Sequence, residues 1–419
     1  MGPAVNGGAE TASVFVLGSP ENEDSKRHER ERQQRSWRTR RHCQAPPTAS
    51  LFLVRAAPVP PQTARRPRSV LYARRVTPTP QPVPHAQRPR GAAAANEPFP
   101  GVENVRPGLW SIPVPLPNNS LRYVLVYLFE TDRGPYLMDA GWNTDDAFGA
   151  LQAGMREAGC DIADVQGVMV THIHPDHYGL AGRIREASGA WVALHPADAE
   201  LIHDRYDEPE ELAPLQNAAM PVRPLVDPVL PDVLLEDGGQ PEVPGWELTA
   251  IWTPGHSPGH LCFYEARHEL MLSGDHVLPR ITPNIPFHPQ AGANPLGDYL
   301  SSLDKLEPYE VGEVLPAHEY RFDDLHTRLE ELRQHHRDRF AEIIAILSEG
   351  PHTGWDIAMH MRWSRPWDEI AGFMRRAAVG EAVSHLRALE IDGVVRVENG
   401  EPALWSLAER SGRAQGTLA

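Results

Sequence analysis

Four side chains able to bind a metal ion fall within six residues of the stretch Thr171-His172-Ile173-His174-Pro175-Asp176-His177-Tyr178-Gly179. They are His172, His174, Asp176 and His177, and imidazole nitrogen and carboxylate oxygen both suit zinc. His172 and His174 stand two apart, so on an extended loop both can point to one side. Asp176 and His177 are adjacent and point differently. The pattern therefore fits two ions, one taking the first pair and one the second. Two ions about 3.5–4 Å apart would clamp a single attacking hydroxide. The bland alternative is a polar loop with scattered histidines. With 20 His in the chain some clustering is expected, but not this order directly after a strand.

The elements around the cluster say where it sits. Gly167-Val168-Met169-Val170-Thr171 is short, apolar and β-branched, as a buried strand is, and residues 180–188 have helical character. The ligands thus occupy a loop at the C-terminal end of a strand, where α/β proteins place their chemistry. Strands are expected at 101–113 (broken by prolines), 123–130, 136–139, 191–195, 246–252, 269–273 and 313–318, with a turn at 132–135. Helices are expected at 145–158, 198–206, 296–306 and 323–348, the last stopped by Gly350-Pro351. Composition and order alone say α/β or α+β.

His172-Ile173-His174-Pro175-Asp176-His177 resembles the HxHxDH signature of the metallo-β-lactamase superfamily. Four further stretches resemble its other motifs, in the same order: Leu137-Met138-Asp139-Ala140-Gly141, Thr253-Pro254-Gly255-His256-Ser257-Pro258-Gly259-His260, Ser273-Gly274-Asp275 and Pro316-Ala317-His318-Glu319. The resemblance covers about 240 residues in the middle of the chain. It implies an αββα sandwich of two mixed β-sheets flanked by helices. It also implies a ligand set: His172, His174 and His256 on one ion, Asp176, His177 and His318 on the other, with Asp275 bridging. The cofactor expected is zinc, two per subunit, with iron or manganese as alternatives. Asp139 and His260 are expected to support ligands rather than bind. Asp176 is expected to orient the hydroxide, and Tyr178 and His276, which flank ligands, to stabilise an oxyanion or simply to line the wall. Arg280 is equally a substrate-carboxylate holder or a packing residue.

The 419 residues are 41% hydrophobic and carry a net charge of −16. Residues 1–100 hold a net +9, which leaves −25 for the rest. That acidity disfavours non-specific binding to nucleic acid or anionic membrane. No stretch approaches the roughly 18 apolar residues of a membrane span. Cys43, Cys160 and Cys262 are odd in number and far apart, which suits a reducing, cytoplasmic location. Residues 1–95 are rich in Pro, Arg and Ala without sustained period, and read as a disordered, dispensable extension. Residues 96–349 form the metal domain, in which the irregular stretch 207–244 is expected to rim the substrate site. Residues 350–419 read as three helices (to His360, 367–375 and 378–391) followed by a hairpin at Asn399-Gly400, which looks like a winged helix. The charges on its third helix nearly cancel, so nucleic acid is not the expected partner; packing against the metal site or a homodimer partner is.

The activity expected is hydrolysis of a small-molecule thioester, lactone, other ester or amide by hydroxide held between the ions. Asp275 stands where the main zinc β-lactamases typically have Cys, so antibiotic hydrolysis is not the expected role. His174 stands where di-iron oxygen reductases usually have Glu. A winged-helix endoribonuclease, an iron-dependent sulfur dioxygenase and a catalytically silent metal scaffold are the competing readings.

Overall fold

The structure is a computed structural model that describes residues 99–117, 121–202, 229–287, 292–398, 400 and 402–408, with only the backbone of residue 373. The expected extension 1–95, Cys43, much of the 207–244 rim and residues 409–419 lie outside the described residues.

In chain order the strands are β1 Glu103–Arg106, β2 Leu109–Pro115, β3 Tyr123–Phe129, β4 Tyr136–Met138, β5 Gly167–Met169, β6 Trp191–Leu194, β7 Val233–Leu234, β8 Leu248–Trp252, β9 Leu261–Glu265, β10 Leu270–Gly274, β11 Glu313–Pro316, β12 His352–Thr353, β13 Val395–Glu398 and β14 Leu404–Leu407. The α-helices are α1 Asp145–Glu157, α2 Pro175–Tyr178, α3 Ala181–Ser188, α4 Pro196–Ala199, α5 Pro295–Leu306, α6 Leu325–Leu347, α7 Gly354–His360 and α8 Gly372–Ile391. Sheet one runs β1 to β7 in sequence order; sheet two runs β11-β10-β9-β8; a small third sheet runs β12-β14-β13. Both large sheets are mixed: β4, β5, β6 and β7 pair in parallel after an antiparallel start, and β10 and β11 are parallel beside antiparallel β9 and β8.

Alternation along β3 shows how the layers form. Val124, Val126 and Leu128 face a core shared with Leu151 and Met155 of α1 and Ile184 of α3. Leu125, Tyr127 and Phe129 face the other way, into a core shared with Leu248, Phe263, Leu272 and Leu315 of sheet two. Side chains of successive strand residues must point to opposite faces, so β3 is apolar throughout because both faces are covered. The outer face of sheet two, with Ile251, Cys262, Met271 and Val314, packs on Leu296 and Leu303 of α5 and Leu325, Leu329 and Leu332 of α6. The result is the expected order of helix, sheet, sheet, helix. Each fully buried Leu or Phe in these layers contributes roughly 1.5–3 kcal/mol. Helix starts are fixed by side-chain caps at Thr144 for α1, Asn294 for α5 and Asp324 for α6.

Strand direction explains why the ligands meet. β4, β5 and β6 are parallel, so their C-terminal ends share one edge of sheet one. β8 runs with β10 and β11, because both β8 and β10 are antiparallel to β9. The candidate ligands follow the C-terminal ends of β5, β8, β10 and β11. The two edges are tied where the Leu261 N–H donates to the Thr171 carbonyl at 2.8 Å.

Two local expectations change. Residues 101–113 form not one broken strand but the β1–β2 pair, turned at Gly108 with φ +84°. The helix expected over 367–375 is a single 3-10 turn, Trp367–Glu369, and α8 begins only at Gly372. Extended Ile370 and Ala371, followed by the left-handed φ of +56° at Gly372, break the path between them. The helix to His360 is present as α7, held by a reciprocal capping box between Thr353 and Asp356. α6 enters two cores: its first half packs on sheet two, while Ile343 and Leu347 pack with Ile357, Ala382, Leu386 and Trp405 of the C-terminal module.

Candidate metal centre

The chain brings all seven expected ligands together. Among the described residues, the groups whose donor atoms lie within 4.8 Å of one another are His172, His174 and His256; His172, His177 and Asp275; and Asp176, His177 and His318. His172 Nε2 and His174 Nδ1 are 2.8 Å apart. Asp275 turns its two oxygens to different partners. Its Oδ2 is 3.5 Å from His256 Nε2, whereas its Oδ1 is 3.6 Å from His177 Nε2 and 3.2 Å from His318 Nε2. Asp176 Oδ2 lies 3.4 Å from His318 Nε2 and 3.7 Å from His177 Nε2.

Four of these rings are oriented from behind. His177 Nδ1 meets Asp139 Oδ2 at 2.8 Å, His318 Nδ1 the Tyr123 carbonyl at 2.9 Å, His256 Nδ1 the Asn284 carbonyl at 2.8 Å and His172 Nδ1 the Thr171 hydroxyl at 3.0 Å. A neutral ring that donates its Nδ1–H backward presents the bare Nε2 forward. Asp139 does the supporting work expected of it. Its carboxylate also accepts the Thr171 N–H at 2.8 Å, from a backbone with φ +63°. His260 is likewise supporting: its Nε2 accepts the Asp275 N–H at 3.1 Å and its Nδ1 meets the Thr253 hydroxyl at 2.9 Å.

Burial and charge set the protonation. Burial and the neighbouring imidazoles hold His172 well below its ordinary value. Burial also acts to lower His318 and His177, but the carboxylates beside them prevail. Asp275 and Asp176 raise His318 to about 10, and Asp139, Asp176 and Asp275 raise His177 well above the usual range. Burial acts to raise Asp275, yet His318 and His177 hold it well below the usual carboxylate range. Two buried carboxylates here demand positive charge.

The residues fit a pair of divalent ions. His177 Nε2, His256 Nε2, His318 Nε2 and Asp275 Oδ1 are buried without a hydrogen-bond partner, and buried polar atoms are rarely left so. Ligands about 2.0–2.1 Å from a tetrahedral zinc lie about 3.3 Å from one another. The separations of 3.2–3.7 Å around Asp275 and Asp176 match that edge. All-nitrogen-and-oxygen donors suit zinc, iron or manganese.

Other expected residues have other work. The Tyr178 hydroxyl donates to the Val229 carbonyl, so it is engaged there and not aimed at an oxyanion. His276 is fully buried, its ring 5.7 Å from that of His260 and 4.8 Å from that of Tyr299, and burial lowers it to about 3. It packs between the rings of His260 and Tyr299, as the wall alternative expects. Arg280 binds Glu319, with Nε 2.8 Å from Oε1, which is the packing alternative. Cys262 is buried, with its thiol pushed up to about 12 by burial, and is no ligand.

Sequence reasoning missed Asp198. Its Oδ2 accepts the Ile173 N–H at 2.8 Å and the Ser257 hydroxyl at 2.8 Å, and its Oδ1 accepts the Gly259 N–H at 2.7 Å. One buried carboxylate thus joins the His172–His174 loop to the His256 loop. Gly259 has to be glycine, because a Cβ there would sit 2.6 Å from the Asp198 nitrogen. His195, expected to be structural, caps α4 and stacks on Trp252 at 5.1 Å.

Comparison with known proteins agrees. The family model described as "Metallo-beta-lactamase superfamily" matches residues 120–318. A solved metallo-β-lactamase family protein from Thermus thermophilus is 33% identical, with a TM-score of 0.62, over 72% of this chain and 99% of that one. A β-lactamase domain protein from Burkholderia ambifaria is 26% identical, with a TM-score of 0.64, over 76% and 97%. Among curated relatives, the lactamase-like protein adaB of Aspergillus niger is 25% identical over 53% of this chain, and the chain spans only 57% of that relative's length. The acyl-coenzyme A thioesterase MBLAC2 of Gallus gallus is 30% identical over 36% of this chain and 55% of its own length. With five motifs, the layered fold and a full-length structural relative in agreement, the chain belongs to the metallo-β-lactamase superfamily.

Proposed function

We propose that the chain is a dinuclear zinc hydrolase that opens a carbonyl-centred bond, a thioester, lactone or other ester, in a small molecule. One observation carries the reading: Asp275 directs one oxygen at His256 and the other at His177 and His318. A carboxylate split in this way is suited to bridge two cations. His172, His174 and His256 would hold one ion; Asp176, His177 and His318 the other. Bound there, the ions would supply a Lewis acid for the carbonyl oxygen and a water of lowered pKa. The protein's own part is to fix the rings through Asp139, Asn284, Tyr123 and Thr171, and to lock both loops through Asp198. Asp176, whose side chain stays 13% exposed, would also orient the attacking water.

The thioester branch is favoured by the likeness to an acyl-coenzyme A thioesterase. The C-terminal module, with α7, α8 and the β13–β14 pair, is read as winged-helix-like. Arg375, Arg376 and Arg387 on α8 are nearly offset by Glu381 and Glu390, with an excess of one positive charge, so the module is assigned to packing and not to nucleic acid. No described helix is long and apolar enough to cross a membrane; with Cys160 and Cys262 free, a cytoplasmic enzyme is part of the same proposal. The test is a hydrolysis screen of the zinc-loaded protein over acyl-coenzyme A thioesters, lactones, simple esters and phosphodiesters. Turnover of thioesters or lactones, abolished by His172→Ala, by Asp275→Ala and by chelation, is expected. Full activity after chelation, or phosphodiesters as the best substrates, would refute it.

A further inference from the structure

The segment 277–287 links Asp275 to the C-terminal module and is fastened along its length. Near Asp275, the Ser273 hydroxyl donates to the Val277 carbonyl at 2.7 Å. Arg328 of α6, itself buried, donates to the carbonyls of Leu278 at 2.7 Å, Ile281 at 2.9 Å and Arg280 at 3.1 Å. Farther on, the Asn284 carbonyl accepts from His256 Nδ1 at 2.8 Å. Ile285 is fully buried in the core that includes Ala388 of α8. The Phe287 N–H then donates to the Gly380 carbonyl at 3.2 Å. The Arg387 guanidinium lies 5.3 Å from the ring of Phe287 and 5.3 Å from that of Trp405.

Gly380 stands in the middle of a 20-residue helix, where glycine is a poorer choice than alanine. Its neighbourhood supplies the reason. A Cβ at Gly380 would lie 3.2 Å from the Pro286 Cβ and 3.6 Å from its Cα. By contrast a Cβ at Gly149 in α1 would meet nothing within 4 Å. Pro286 is two residues from the carbonyl that orients His256; its ring fixes its own φ, and the intervening Ile285 is held by full burial.

We propose that α8 is part of the frame of the metal centre. Gly380 is a positioning residue: its bare backbone seats Pro286 and Phe287, and so sets the Asn284 carbonyl that aims His256 at the first ion. Arg387 holds the same seat from the side. The C-terminal module thereby tunes one ion site through the His256 ring, without contributing a ligand. This rests on the dinuclear metal reading above.

The test measures zinc alone, by competition against a chromophoric chelator, on the full chain. Gly380→Val forces Pro286 outward. Losing an outer partner of a ligand histidine costs roughly 10–100-fold in metal affinity, so one of the two zinc ions should weaken by that order while the other holds. In a His256→Ala background the same substitution should add nothing further. Leu386→Ala, which opens the module's core away from the segment, should lower the melting temperature and leave both zinc affinities alone. Unchanged zinc binding in Gly380→Val, or an equal loss in Leu386→Ala, would overturn the proposal. If Gly380→Val does not fold, Arg387→Gln takes its place, with a smaller loss at the same site expected and no loss overturning it. A wild-type chain that binds no zinc would instead overturn the metal reading, and this proposal with it.

Discussion

Asp198→Ala is the perturbation that bears most directly on how the centre is assembled. The carboxylate is fully buried and accepts three hydrogen bonds of 2.7–2.8 Å, from Ile173, Ser257 and Gly259. A hydrogen bond to an ionised group contributes roughly 1.5–3 kcal/mol, and a buried donor left without an acceptor costs roughly 1–3 kcal/mol. Three orphaned donors, partly relieved by water entering the space, give a loss of about 3–5 kcal/mol, a large share of the roughly 5–15 kcal/mol of a typical domain. Asp198→Asn keeps one acceptor but sets an amide N–H against at least one donor, so about 2–3 kcal/mol is expected. Urea unfolding of the metal-free variants reads this out, with unchanged slope. The loops that separate carry His172, His174 and His256, so zinc at that position should weaken more than zinc at Asp176, His177 and His318. A loss under about 0.5 kcal/mol with two undisturbed zinc sites, as at an ordinary surface position, would refute the reasoning.

Zinc must displace protons from His177 and His318, because only neutral imidazole binds a metal. Affinity should therefore rise with pH, and calorimetry in buffers of different ionisation enthalpy should show proton release on binding at about pH 7; none would contradict the electrostatics described. In the metal-free protein His318, raised to about 10, adds stability that is complete below the ordinary 6.5 and is lost as pH climbs through 10. Depressed Asp275 adds stability that is lost as pH falls through its lowered value. The metal-free melting temperature should accordingly drop between about pH 7 and pH 10, and a flat profile would count against it. Gly255→Ala would place a Cβ 2.5 Å from the Tyr299 Cβ at a φ of +138°; we expect about 2–4 kcal/mol of destabilisation by thermal melting, from overpacking and backbone strain together, and a variant as stable as wild type would show that the His256 turn is looser than described.

Four ligands were legible because each follows a strand of simple apolar pattern, so type and position at a strand end coincide at His172, His256, Asp275 and His318; His174, Asp176 and His177 were legible by their spacing after His172. The layers were legible for the same reason. Asp198 was not, since its worth lies in contacts 25, 59 and 61 residues away, and nothing in the local run His195-Pro196-Ala197-Asp198 signals them. Arg328 reads as one more helix charge until three distant carbonyls surround it. Sequence adjacency to a ligand says nothing of direction, so the engagement of the Tyr178 hydroxyl with the Val229 carbonyl could not be read from its place beside His177. The helix expected at 367–375 is split by three successive non-helical residues, extended Ile370 and Ala371 and left-handed Gly372, which the apolar spacing around them does not encode.

The account stands on two ions sharing Asp275, and metal content per folded chain measures that directly. Elemental mass spectrometry of the protein, loaded with zinc and freed of excess, should give two zinc per chain for wild type and one or fewer for Asp275→Ala at unchanged secondary structure. One zinc or none in the wild type, or two retained in Asp275→Ala, would contradict it.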